Sequence, residues 1–206
     1  MRKGLKRVAI CGCLAAAVWL GAVMADRDAL SRELIRLHVV AASDDQADQT
    51  VKLQVRDAVL ASIQADLEAV GDVTAAKAYL QENLPKIQKI ANETLEKAGF
   101  APNAVVSLCR EAFDTRDYDS FSLPAGVYEA LRIVIGEGEG HNWWCVAFPS
   151  LCLSATSREF EAKAAGAGFS DGLTQALEGE GYTVRFFLLD CLGRVQNWAL
   201  ERGEGT

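Results

Sequence analysis

The sequence predicts an α+β domain: a small, mostly antiparallel sheet with helices packed on one face, preceded by a signal segment. Three observations lead there. Between Ser43 and Gly99 apolar residues recur at three- and four-residue steps, the period of helices lying on a core. From Asn103 the period shifts to two, over Val105–Arg110 and again over Gly126–Ile135. The helices are grouped ahead of those strands instead of alternating with them, which sets the pattern apart from a parallel α/β sheet.

Each element follows in order. Arg2, Lys3, Lys6 and Arg7 precede 18 uncharged residues, Val8 to Ala25. A basic head, an apolar stretch and small residues at its end make residues 1–25 a secretory signal segment, with Val23 and Ala25 at −3 and −1 of a cut before Asp26. The stretch is at the lower limit for spanning a bilayer, so retention as an anchor is the alternative. Glu33–Val40 reads as a first strand. Ser43-Asp-Asp-Gln46 has capping-box spacing, and Val51, Val55, Val59, Ile63 and Leu67 line the helix behind it until Gly71 stops it. Asp72 is placed to cap a second helix, in which Pro85 marks a kink or a fresh start and Gly99 a terminator.

Val105–Arg110 and Gly126–Ile135 are the next strands. In the latter Val127, Glu129, Leu131, Ile133 and Ile135 share one face, and Tyr128, Ala130, Arg132 and Val134 the other. Tyr182–Leu189 reads as a fourth strand and Asp190–Arg202 as an amphipathic helix. Residues 155–181 are helix-prone but broken by glycines, and are expected to be mobile. No internal repeat divides the chain. Residues 26–206, 181 in all, suffice for a single α+β domain with its own core.

The chain carries 21 Lys and Arg against 28 Asp and Glu, a net charge of −7. Four of the basic residues lie in the first 25, so 17 stand against 28 beyond them, a net of −11. Such a surface excludes nucleic acid and simple adhesion to anionic lipid. Export permits disulfides, and Cys109, Cys145, Cys152 and Cys191 lie beyond the cut. Cys145 and Cys152 are the favoured pair, since a turn at Phe148-Pro149 brings them within bonding range. Closing so short a loop contributes ~2–3 kcal/mol. Cys109 and Cys191 either pair with each other or stay free.

No catalytic set, metal site or cofactor motif assembles from these residues. Gly136-x-Gly138-x-Gly140 resembles a phosphate loop only superficially, because Glu137 and Glu139 repel phosphate and no lysine follows. His38 and His141 are far apart in sequence, and Asp44, Asp45 and Asp48 suit a helix start without completing a calcium loop. Trp143 and Trp144 are adjacent, so their side chains diverge; one is expected in the core and the other substantially exposed. An exposed tryptophan in a loop bounded by glycines and a disulfide is a binding anchor. Gly138, Gly140, Asn142, Trp143 and Trp144 are therefore the expected partner-binding residues, on a loop from Gly136 to Cys152.

Three blocks carry a family resemblance: Ile35–Leu60 (IRLHVVAASDDQADQTVKLQVRDAVL), Leu123–Cys152 (LPAGVYEALRIVIGEGEGHNWWCVAFPSLC) and Val184–Asp190 (VRFFLLD). In this order they make the chain resemble the stage II sporulation protein R family of endospore-forming bacteria. The resemblance implies a secreted signal and not an enzyme. It implies synthesis in the forespore and export through the forespore membrane into the intermembrane space. There the partner would be a membrane-embedded aspartic protease of the mother cell, whose activation triggers pro-sigma factor processing. Neither nucleic acid nor a small-molecule substrate is implied. The match over Leu53–Val59 makes Arg56 and Asp57 candidates for a fixed tertiary salt bridge. The alternative is an exported hydrolase acting in the same space, for which the sequence offers only scattered carboxylates such as Glu129 and Asp190.

Overall fold

The computed structural model describes residues 2–118, 121–150, 166, 169, 171–178 and 184–203. Helix α1 (Arg2–Glu33) leads into strand β1 (Ile35–Val40), then α2 (Gln46–Ala69) and α3 (Val73–Lys97). Strands β2 (Ala104–Phe113), β3 (Arg116–Asp117), β4 (Ser122–Leu123), β5 (Gly126–Ile135) and β6 (Asn142–Phe148) follow, with helices α4 (Asp171–Glu178) and α5 (Val184–Gly203) last. The main sheet has the order β2-β5-β1-β6, and β3 and β4 form a separate two-stranded ribbon. β2 pairs antiparallel with β5 along its whole length, from Ala104 opposite Ile135 to Phe113 opposite Gly126. β1 lies between β5, to which it is parallel, and β6, to which it is antiparallel. The expected α+β class and small, mostly antiparallel sheet are observed.

Strand alternation sorts the side chains of β1 onto two cores. Ile35, Leu37 and Val39 join Leu131, Ile133 and Ile135 of β5 beneath α2 and α3, which contribute Val51, Val55, Val59, Ile63, Leu80 and Ile87. Each such fully buried side chain stabilises the fold by roughly 1.5–3 kcal/mol. The opposite face carries helices as well. There Phe113, Tyr128, Ala130 and Val146 pack with Leu30 of α1 and Leu34 just after it, Leu173 and Leu177 of α4, and Phe186 and Leu189 of α5. Covered on both sides, β1 is buried at all six positions.

Arg36 of β1 points into this second core and has no exposed surface. Its Nη2 donates to the Tyr118 hydroxyl at 2.7 Å. The guanidinium lies 4.3 Å from the centre of the Phe113 ring and 5.2 Å from that of Tyr128. Nε and Nη1 have no hydrogen-bond partner, so ring faces stand where a carboxylate would be expected.

Helix ends follow the sequence with exceptions. Asp72 caps α3, accepting from the Ala75 amide at 2.9 Å. The capping box expected at Ser43–Gln46 does not form: α2 begins after Asp45, which makes no side-chain cap, and the Ser43 hydroxyl donates to Asp48 Oδ2 at 2.5 Å. The Ser43 oxygen accepts from the Asp45 amide at 3.1 Å instead of from the Gln46 amide that a capping box requires. Pro85 lies inside α3 without ending it, because Leu80 before it and Ile87 after it are anchored in the same core.

Two segments differ in kind from their sequence reading. Val184–Gly203, whose first residues were expected to be the end of a strand over Tyr182–Leu189, is a single helix. Phe186, Leu189 and Asn197 are buried while Phe187, Val195 and Trp198 are exposed, so burial at three- and four-residue steps overrides the strand-like composition of Phe186–Leu189. Asn142–Phe148, expected as part of a presenting loop, is the edge strand β6, across the sheet from the other edge, β2. Of residues 155–181, expected to be mobile, Asp171–Glu178 is helical and most of the rest lies outside the described residues.

The N-terminal apolar helix fits a signal segment: Ile10–Glu33 is long and apolar enough to cross a membrane. Its C-terminal part belongs to the second core, where Val23 and Leu30 are buried together with Leu34 just beyond the helix.

Candidate functional site

The residues expected to bind a partner gather around the turn from β5 to β6 and along β6. Gly138 turns the chain at φ +68°, a conformation that disfavours any other residue. Gly140 lies so close to the loop between β1 and α2 that a β-carbon would overlap the Ser43 carbonyl oxygen. That approach lets backbone lace the two loops. The Gly140 amide donates to Ala41 O at 3.0 Å and the Glu139 amide to Ala42 O at 3.2 Å. The His141 amide donates to Asp44 Oδ1 at 2.6 Å, and its ring Nδ1 contacts the same carboxylate oxygen. These bonds from His141, first the side-chain one, hold the Asp44 carboxyl below its ordinary range.

Lys52, on the first turns of α2, completes the lacing from below. It is buried, and its Nζ donates to His141 O at 2.9 Å and Gln49 Oε1 at 2.6 Å. Burial lowers its pKa, against the opposing pull of Asp44. His141 and Asp44, 97 residues apart, are thus one cluster.

Beyond the turn, Asn142 stands opposite Val40, Trp143 opposite Val39 and Trp144 opposite His38. The two tryptophans go to opposite faces of the sheet, as neighbours on a strand must. The expected split into one buried and one substantially exposed ring is not found, because both are half-buried. Each face carries its own layer, and in each an arginine lies on the ring. The Arg56 guanidinium is 4.2 Å from the Trp143 ring centre and that of Arg116 is 3.6 Å from Trp144. Trp144 also stacks on His38, with ring centres 5.6 Å apart and an interplanar angle of 17°. His38 Nδ1 is 2.8 Å from Glu111 Oε2.

Arg56 and Asp57, expected to make a tertiary salt bridge, pair with each other at 2.7 Å instead. The long-range contact of Arg56 is its stack on Trp143, and α2 is tied to β6 by a cation–π contact. Sequence reasoning missed Arg116 and Glu111 altogether. Neither stands in a recognisable motif: Glu111 lies on β2 and meets His38 of β1, and Arg116 lies on the separate β3–β4 ribbon. Cys145 is disulfide-bonded, Cys11, Cys13, Cys109 and Cys191 are free, and Cys152 lies outside the described residues.

Among the described residues no group of three His, Cys, Asp or Glu side chains is placed to hold a metal ion. The carboxylates a hydrolase would need do not converge. Glu129 faces the α2–α3 side and pairs with Lys77 at 2.7 Å. Asp190 is buried on the opposite side, where it accepts from the Thr115 hydroxyl, the Ala125 amide at 3.0 Å and Arg194 Nε at 2.9 Å.

Comparison with known proteins adds two findings. The family model for stage II sporulation protein R matches residues 31–158. Stage II sporulation protein R of Bacillus subtilis (strain 168) is 40% identical over 121 residues, which are 59% of this chain and 54% of that protein. The match thus spans about half the length of the curated relative. No solved structure matches.

Proposed function

The chain belongs to the stage II sporulation protein R family, and from that premise we propose that it is an exported signal of sporulation that acts by binding. In this reading it is made in the forespore and exported through the forespore membrane. In the intermembrane space it activates a membrane-embedded aspartic protease of the mother cell, which then removes the pro-sequence of a sigma factor. Activation requires that the signal bind the active state of the protease more tightly than the inactive one.

The observation that best supports a recognition surface is β6. It is one of the two edge strands of the sheet, and it carries two tryptophans, each pinned by an arginine. Rings already held in place lose little entropy on binding, which concentrates affinity in them. The turn at Gly138 and Gly140 fixes the start of the strand, and Asn142 begins it. The disulfide at Cys145 restrains it further along.

The test is complementation. In an endospore-forming host lacking its own signal gene, the intact chain is expected to restore cleavage of the sigma precursor. Trp143→Ala and Trp144→Ala are each expected to reduce that cleavage at least ~10-fold per folded molecule. Failure of the intact, exported chain to restore cleavage refutes the function. Normal signalling by both variants, with cleavage restored by the parent, removes the surface from β6.

A further inference from the structure

Helix α1 passes through two environments without a break. Ile10, Leu14, Val18, Trp19, Leu20 and Met24 are exposed on it, the largest concentration of exposed apolar side chains among the described residues. From Val23 the same helix enters the second core: Val23 and Leu30, with Leu34 just after the helix, pack with Tyr128, Ala130, Val146 and Leu189, and Asp26 is buried too. The helix is continuous from Arg2 to Glu33.

The bond between Ala25 and Asp26, where the sequence places an export cut, therefore lies inside the docked stretch. Proteolysis favours exposed, loosely held backbone. Here the residues around the bond are helical, and Val23, the −3 residue, has no exposed surface. We propose that α1 is not removed: the fold holds the cut site closed, and the chain stays attached to the bilayer by a helix continuous with its own core. The partner of the exposed part of α1 is then lipid hydrocarbon. Val8 to Ala22, the stretch ahead of the docked part, is 15 uncharged residues, about 22 Å of helix against roughly 30 Å of hydrocarbon, a shortfall that local thinning of the bilayer accommodates. The next residue, Val23, already belongs to the folded part, so the domain sits directly on the membrane surface with no linker. The domain faces the same compartment with or without the cut, so the inference stands apart from the signalling function.

The test uses the full chain with a C-terminal epitope tag in an endospore-forming host, with intact mass and membrane fractionation as readouts. The expected product has the full-length mass and stays in the membrane pellet through an alkaline carbonate wash. A soluble product beginning at Asp26 overturns the proposal. Ala25→Lys, at an exposed position, removes the small −1 residue and is expected to change neither mass nor fractionation; a short parent beside a full-length Ala25→Lys overturns the proposal again. Leu30→Asp unpacks the docked part of the helix and is expected to yield a product cut before Asp26. A Leu30→Asp chain that remains full-length refutes the assignment of protection to the fold.

Discussion

Replacing Gly140 with alanine tests whether the two laced loops hold the start of β6. The added β-carbon overlaps the Ser43 carbonyl oxygen and comes to 3.0 Å from Ala41 Cβ. Ser43 O is backbone and has no rotamer into which to retreat, so the loops must part. Three bonds are then broken or stretched: Gly140 N to Ala41 O at 3.0 Å, Glu139 N to Ala42 O at 3.2 Å, and His141 N to Asp44 Oδ1 at 2.6 Å. At about 0.5–1.5 kcal/mol net for each, the loss is about 2–4 kcal/mol, or roughly 5–15 °C in Tm for a domain of this size. The assay is urea unfolding of the detergent-solubilised chain, followed by tryptophan fluorescence. Gly71→Ala is the control, since a β-carbon there meets nothing within 4 Å. If Gly140→Ala is as silent as Gly71→Ala, the lacing does not restrain this end of the sheet.

Three further outcomes are expected. Trp143→Ala and Trp144→Ala should each destabilise the chain by about 2–4 kcal/mol in the same urea assay, since each half-buried ring also loses an arginine contact; native stability in either refutes the clamped geometry. Burial pushes the Asp190 carboxyl up, but the Thr115 hydroxyl, the Ala125 amide and Arg194 outweigh it and leave the pKa below the ordinary value. A carboxyl depressed in the folded state contributes stability that is complete above its unfolded pKa of about 3.9 and is lost as pH falls through the folded value. Asp190→Asn should therefore flatten the loss of stability below about pH 4, and an unchanged acid limb counts against it. Because Cys145 is bonded and four other cysteines are free, non-reducing peptide mapping is expected to join Cys145 to Cys152; free thiols at both positions in exported protein end that assignment.

Much of the fold was legible where one local signal dominated. β5 spans Gly126–Ile135 as its alternation indicated, and Asp72 opens α3 because a free carboxylate precedes an apolar period. Legibility failed where an element is apolar on two sides. β6 has no polar alternation, since Trp143 and Trp144 face separate cores, and the glycines before it suggest a loop. α5 buries Phe186 and exposes Phe187, which erases the amphipathic contrast that marks a helix. The site was legible as residues and not as contacts. Arg56 was visible, but its position over Trp143 depends on how α2 crosses β6, and the cover of Trp144 by Arg116 depends on a strand pairing far along the chain.

Arg36 makes the two faces of the sheet differ in how readily they come apart. Separating α2 and α3 from their face exposes hydrocarbon to water and also breaks polar ties that are already paired, among them Lys52 to His141 O and Lys77 to Glu129. Lifting the α1, α4 and α5 layer exposes hydrocarbon too, but it also returns water to a guanidinium whose Nε and Nη1 have no acceptor. Rehydrating such a charge recovers several kcal/mol, comparable with the exposure of two or three apolar side chains at ~1.5–3 kcal/mol each. The first partial opening of this protein therefore begins on the arginine side. Amides of α1 beyond Asp26 and of α5 should exchange with solvent hydrogen sooner than those of α2 and α3 in a native-state exchange experiment, and equal protection of the two layers would refute the asymmetry.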